Sequence, residues 1–353
     1  HDWADDGLAD RAGDSGCRMT DPMTPLATER RGSHRTRSRS NPCAINHVRM
    51  PTNLAESVTR PLVPFRDAPA VGDDHSQGGI MCELLGLSSN LPAKLSLSLE
   101  RLAGHGAPPT SIRDGWGVAY YEDTDVRLIK DAGAANDSDW LRFVSHHDLR
   151  SPIVMAHIRK ATVGALSYRN AQPFMRELAG RMHCFAHNGW LPGILDAPAR
   201  RSTRFAPVGE TDSEQAFCAL LDALGALWIK PGEVPPLAAR LNIVTAFAAR
   251  LRQFGPANCL YSDGDALFAH GDRRKSPATG EVVAPGLVYL LRECPPSGAT
   301  ITGNGLAVTA ADQAVALVAS VPLSAEPWQE MAEGEVTVFR AGRITAKRIA
   351  GNA

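Results

Sequence analysis

The chain has 353 residues, 44% of them hydrophobic, and a formal net charge of −1. That length holds one large domain or two ordinary ones, and the near-neutral balance gives no reason to expect nucleic acid or an anionic membrane as a partner. No apolar run approaches the ~20 residues needed to cross a bilayer. The 7 cysteines are scattered and include no CxxC pair, which argues against a disulfide framework or a zinc site and fits a reduced, cytoplasmic enzyme.

Residues 1–80 contain no lysine, are rich in Arg, Asp, Ser and Pro, and show neither helical nor strand periodicity. The run from Arg30 to Ser40 reads either as a basic nucleic-acid tail or as part of a disordered leader, and no apolar h-region makes it a secretory signal. The expectation is that 1–81 is a disordered leader, a removable propeptide or a mis-assigned upstream translation, and that 82–350 form the folded domain.

From Met81 the texture changes. Residues 82–87 read as a short buried strand, and 91–102 as an amphipathic helix with leucines at helical spacing. Strands are expected at 116–121 and 126–130, joined by the turn-prone Glu122-Asp123-Thr124-Asp125. A helix follows around 139–146. Central strands at 153–159 and 182–187 run into polar, motif-bearing loops. Thr211-Asp212-Ser213-Glu214 has the form of a capping box that opens a helix over 214–227, and 237–254 carries another helical pattern. Strands are then expected at 258–262, 266–270, 286–291, 306–309, 314–319, 336–340 and 343–347. Strands and helices come in blocks rather than in strict alternation, which favours stacked layers over a doubly wound sheet.

Chemistry concentrates at a few positions. Were Met81 removed, Cys82 would carry a thiol and a free α-amine on one residue. The thiolate is the attacking species, and an α-amine titrating near ~7.7–8.0 is a usable general base. In Ala156-His157-Ile158-Arg159, an arginine at a strand end suits bidentate capture of a carboxylate. In Ala186-His187-Asn188-Gly189, the asparagine amide and a backbone N–H can point at a developing oxyanion, although Asn-Gly is also an ordinary turn signal. Asp212, in the first turn of a helix, stabilises that turn and is available to a substrate ammonium. A nucleophile, a carboxylate clamp, an oxyanion hole and an ammonium binder are what amide hydrolysis on an α-amino acid requires.

On Met81-Cys82-Glu83-Leu84-Leu85-Gly86, Asp114-Gly115-Trp116-Gly117, Ala156-His157-Ile158-Arg159, Ala186-His187-Asn188-Gly189 and Gly209-Glu210-Thr211-Asp212-Ser213-Glu214, the sequence resembles the class II glutamine amidotransferase family of N-terminal-nucleophile hydrolases. More narrowly it is similar to the stand-alone, YafJ-type branch, over roughly 81–345. The resemblance implies an α+β fold, a four-layer αββα sandwich with the nucleophile at the start of a central strand. By position, it implies that Cys82 attacks the γ-carbonyl while its own α-amine relays the proton. Asn188 and Gly189 then hold the oxyanion, Arg159 with Thr162 binds the substrate α-carboxylate, and Asp212 binds the α-ammonium.

Two stretches depart from the family pattern. Synthase-linked members carry Arg-Trp-Ala-Thr-His-Gly where this chain has Arg159-Lys160-Ala161-Thr162-Val163-Gly164, and Gln172 stands where a histidine is common. Both are expected at the rim of the pocket. About 270 residues follow Cys82, all of which a glutaminase-type domain accounts for. An ammonia-accepting synthase would therefore be a separate protein, or the enzyme simply hydrolyses. The alternative function is a γ-glutamyl peptide or amide hydrolase acting on a small metabolite; a third reading is a non-catalytic glutamine-binding protein, against which the intact Cys82, Asn188 and Asp212 count. Nothing requires a metal, flavin or nucleotide cofactor.

Overall fold

A computed structural model describes residues 82–97, 114–133, 138–140, 143, 147–159, 164–195, 204–276, 279–303 and 306–351. The first strands in chain order are β1 (Glu83–Leu97), β2 (Trp116–Glu122), β3 (Asp125–Asp131), β4 (Arg150–Ile158), β5 (Phe174–Leu178) and β6 (Arg181–Gly189). Two helices follow, α1 (Asp212–Leu224) and α2 (Leu237–Leu251). After them come β7 (Ala257–Ser262), β8 (Leu267–Gly271), β9 (Arg274–Lys275), β10 (Val282–Val283), β11 (Val288–Cys294) and β12 (Ala299–Gly303). The last strands are β13 (Leu306–Ala310), β14 (Gln313–Ala319), β15 (Gln329–Glu330), β16 (Glu335–Arg340) and β17 (Arg343–Ile349).

The larger sheet runs β15-β11-β14-β1-β4-β2-β3, with β13 also pairing β1 and β12 pairing β13. The smaller runs β17-β16-β8-β7-β6-β5. β1 is central in the larger sheet, and its residues are buried alternately on the two faces: Leu85 and Leu87 in an outer core with Trp116, Val118, Val154 and Leu317, and Leu84 in an inner core with Met155, Ala186, Leu260 and Leu267. That inner core joins the two sheets. Gly86 leaves no room for a side chain against the smaller sheet, since a Cβ there would lie 2.9 Å from Leu267 and 2.8 Å from Val318 of the neighbouring strand. A further core packs Phe217, Leu220, Leu221 and Leu224 of α1 with Leu241, Val244 and Phe247 of α2 on Phe185 and Tyr261 of the smaller sheet. The i, i+3, i+4, i+7 spacing of the α1 set puts those side chains on one helix face. Each fully buried Leu or Phe contributes roughly 1.5–3 kcal/mol. Successive cores on both faces of stacked sheets bear out the expected α+β sandwich, and among the described residues α1 and α2 form the helical layer on the smaller sheet. The helix expected around 139–146 is helical at Asp139, Trp140 and Phe143, its other positions lying outside the described residues.

One expected element is overturned. Residues 91–97 are not helical but continue β1, which pairs Lys94 with Thr309 of β13 and with Arg150 of β4. The leucines at 91, 95, 99 and 102 satisfy a helical spacing, yet Ala93 and Leu95 are buried in strand alternation. Pro92, which has no N–H to donate, falls where the register with β4 shifts between Ser88 and Ala93. β5 and β12 were not anticipated; β5 has the mixed burial of an edge strand, with only Phe174 and Leu178 turned inward.

Candidate active site

The strand ends that the sequence marked converge. Glu83 pairs with Ile158, which places Cys82 and Arg159, the residues just outside that rung, at the same end of neighbouring strands. β6 ends on Asn188 and Gly189, and α1 begins at Asp212. The Asn188 Nδ2 donates to the Cys82 carbonyl oxygen at 2.5 Å and lies 3.5 Å from the Ser320 Oγ. Cys82 is partly exposed, whereas the other cysteines among the described residues are buried.

Arg159 is 5% exposed, and backbone carbonyls fix its guanidinium: Asp114 at 3.2 Å, Ala165 at 3.3 Å and Gly164 at 3.1 Å. Burial pulls its pKa down from the usual value, against the opposing fields of Cys82, Asp114, Asp212 and Glu210. The carboxylate of Asp212 accepts from the Leu191 N–H at 2.9 Å and from the Ser213 N–H at 2.8 Å, tying the first turn of α1 to the segment that leaves β6. Thr211 caps that helix, its Oγ1 accepting from the Glu214 N–H at 3.2 Å. The reciprocal half of the expected capping box is absent. Glu214 accepts instead from the Gly209 N–H at 2.6 Å and pairs with Arg176. Thr162, with Lys160 and Val163, lies outside the described residues.

A second set of residues supports the first and was not singled out for it. Glu83 and Arg274 form a buried ion pair at 3.2 Å, Arg274 donates to the Ser320 carbonyl, and the Ser320 Oγ accepts from the Leu84 N–H at 3.0 Å. Burial pushes the Glu83 carboxyl up to about 7, against the opposing pull of Arg274 and Ser320. Asn170 braces the loop before Asp212, donating to Glu210 at 2.7 Å and accepting from the Glu210 N–H at 3.0 Å. His187 shares a hydrogen bond with the Ser213 Oγ at 2.9 Å, and burial holds its imidazole neutral to lower pH than usual. His157, buried between the sheets, is depressed to about 3 by burial and by the charges of His187 and Arg159. Gln172, expected at the pocket rim, is instead buried and bonded to the His187 backbone. Contacts such as Glu83 with Arg274 span 191 positions and leave no local signal.

The arrangement brings together a partly exposed thiol, an amide donor beside it, a fixed cation and a buried carboxylate. The model of the class-II glutamine amidotransferases matches residues 81–351. The chain is 34% identical over 269 residues to YafJ of Escherichia coli (strain K12), provisionally named a glutamine amidotransferase, covering 74% of this chain and 98% of YafJ. It is 33% identical to the uncharacterized protein MJ1515 of Methanocaldococcus jannaschii, over 75% of this chain and 70% of that one. Among solved structures, a predicted glutamine amidotransferase from Pseudomonas aeruginosa PA01 superposes with a TM-score of 0.57 at 32% identity, over 75% of this chain and all of its own. The chain belongs to the class-II glutamine amidotransferases.

Proposed function

We propose that the protein cleaves the γ-amide of glutamine or of a γ-glutamyl compound through a thioester on Cys82. The observation that carries this reading is the Asn188 amide at 2.5 Å from the Cys82 carbonyl, which sets a hydrogen-bond donor against the residue that bears the thiol. With Met81 removed, the Cys82 α-amine takes the thiol proton, directly or through a water, and the sulfur attacks the γ-carbonyl carbon. The carbonyl π electrons move to oxygen, where Asn188 Nδ2 and the Gly189 N–H stabilise the charge. The tetrahedral species collapses, the C–N bond breaks, and the amine leaves with the proton returned by the α-ammonium. Water then hydrolyses the γ-glutamyl thioester by the same relay. Arg159, with the segment at Thr162, receives the α-carboxylate, and Asp212 the α-ammonium.

The test is a preparation beginning at Cys82, incubated with glutamine and with a panel of γ-glutamyl peptides, alongside Cys82→Ala. Turnover by the parent and none by the variant is the expected result. Full activity in Cys82→Ala would overturn the mechanism. Release of amine from the peptides without ammonia from glutamine would assign the substrate to the γ-glutamyl peptides.

A further inference from the structure

We infer that Gln172 is a positioning residue for the oxyanion end of β6, its side-chain amide standing in for a strand rung that the backbone cannot supply. The inference rests on the reading of Asn188 and Gly189 as oxyanion donors. β5 pairs with β6 from Leu178 opposite Arg181 to Phe174 opposite Phe185. Continuing that register would set residue 172 opposite His187. The backbone does not continue it. The rung would need the N–H and carbonyl of residue 172 itself, and the Gln172 carbonyl packs instead on Gly117, where a Cβ would lie 2.4 Å away. Only the Gln172 side chain returns to β6. Its Oε1 accepts from the His187 N–H at 2.7 Å, and its Nε2 donates to the His187 carbonyl at 3.2 Å.

A primary amide presents an acceptor and a donor side by side, as a peptide group does. It therefore satisfies both buried backbone groups of His187, which is 2% exposed. An imidazole carries its nitrogens on divergent axes and meets only one of them. In a strand, the N–H groups of residues i and i+2 point to the same edge, so the rung on His187 fixes the edge from which the Gly189 N–H projects. On the opposite edge, β7 already pairs Asn188 with Asn258 and Gly189 with Ala257. The amide completes the clamp one residue before Asn188.

The experiment uses the protein beginning at Cys82, with Gln172→Ala, Gln172→His and Gln172→Glu. Turnover of glutamine and of γ-glutamyl p-nitroanilide should fall about 10–100-fold in kcat, the scale of a misplaced catalytic donor, with KM within about twofold. Alkylation of Cys82 by iodoacetamide needs no oxyanion donor and should keep its wild-type rate. Gln172→Glu adds a signature. A carboxylate sets oxygen against the His187 carbonyl, whereas the protonated acid restores the acceptor–donor pair. Its kcat relative to wild type should therefore rise as pH falls from 8 to 5.5. The parallel wild-type profile removes the titrations of Lys130, His157 and His187. Amide exchange over 187–189 reads the clamp without turnover and should quicken in Gln172→Glu, the isosteric variant, even if Gln172→Ala fails to fold. Unchanged exchange, or kcat within twofold of wild type at every pH, would overturn the inference. A wild-type protein that cleaves neither substrate would instead overturn the amidase reading, leaving exchange to judge the clamp.

Discussion

Asp212 and Glu83 are both buried carboxyl groups near Cys82, and their surroundings give them different work. Asp212 is held by the Leu191 and Ser213 N–H groups on separate oxygens, so Asp212→Asn removes the charge together with one of those two acceptors. Asp212→Asn should raise KM for glutamine by about 10–100-fold, the range expected for one charge-assisted hydrogen bond, and change kcat much less. An unchanged KM would remove the ammonium-binding role. For Glu83, the native carboxyl titrates at about 7 against an ordinary 4.5, so the folded state holds its proton more tightly than the unfolded chain. The resulting stabilisation is fully present below 4.5 and is lost as pH rises through 7. Between pH 5.5 and 8, wild type should lose on the order of 2 kcal/mol relative to Glu83→Gln in urea unfolding; parallel pH dependences would refute this. The sequence made Cys82, Arg159, Asn188 and Asp212 legible because each sits in a short motif at an element's end. Glu83 was read only as a neighbour in the Cys82 motif, because its meaning depends on Arg274.

At the scale of elements, what the sequence revealed depended on how local the cause was. Thr211 capping α1 is a local device and was expected; the structure starts the helix at Asp212 and ends it at Leu224. Thr211→Ala should cost about 1 kcal/mol of stability and loosen the turn that presents Asp212, so a raised KM should accompany the lower unfolding midpoint. The helical spacing of Leu91, Leu95, Leu99 and Leu102 hides the second half of β1, while the deciding fact is the availability of β13 and β4 as pairing partners. β5 was missed for the opposite reason: an edge strand with polar Arg176 and Glu177 lacks a sustained apolar pattern. Gln172 illustrates the limit most clearly, since nothing near it in the chain announces that its amide joins a sheet.

For the whole molecule, the buried imidazoles set the response to acid. His157 is depressed to about 3, His183 and His270 to about 4, all chiefly by burial, and His187 is lowered as well. Each binds its proton more readily in the unfolded chain, so stability is highest above 6.5 and falls as pH drops. By pH 5 the loss is on the order of 2 kcal/mol for each of His157, His183 and His270, and Glu83 returns roughly 2 kcal/mol in the other direction. Against a typical total of about 5–15 kcal/mol, the balance is large. Urea midpoints should therefore fall between pH 7.5 and pH 5, and equal midpoints would contradict the neutral, buried state of these rings.

The ladder of β1 begins at Glu83, immediately after Cys82, with Ile158 on one side and, from Leu85, Ala319 on the other. Cutting the chain in front of Cys82 breaks none of these rungs. On the proposed mechanism the requirement at this position is chemical: an acylated Cys82 nitrogen is an amide and no base, whereas a free one can take the thiol proton. A form beginning at Cys82 should turn over substrate, and one in which the same nitrogen is acylated should not.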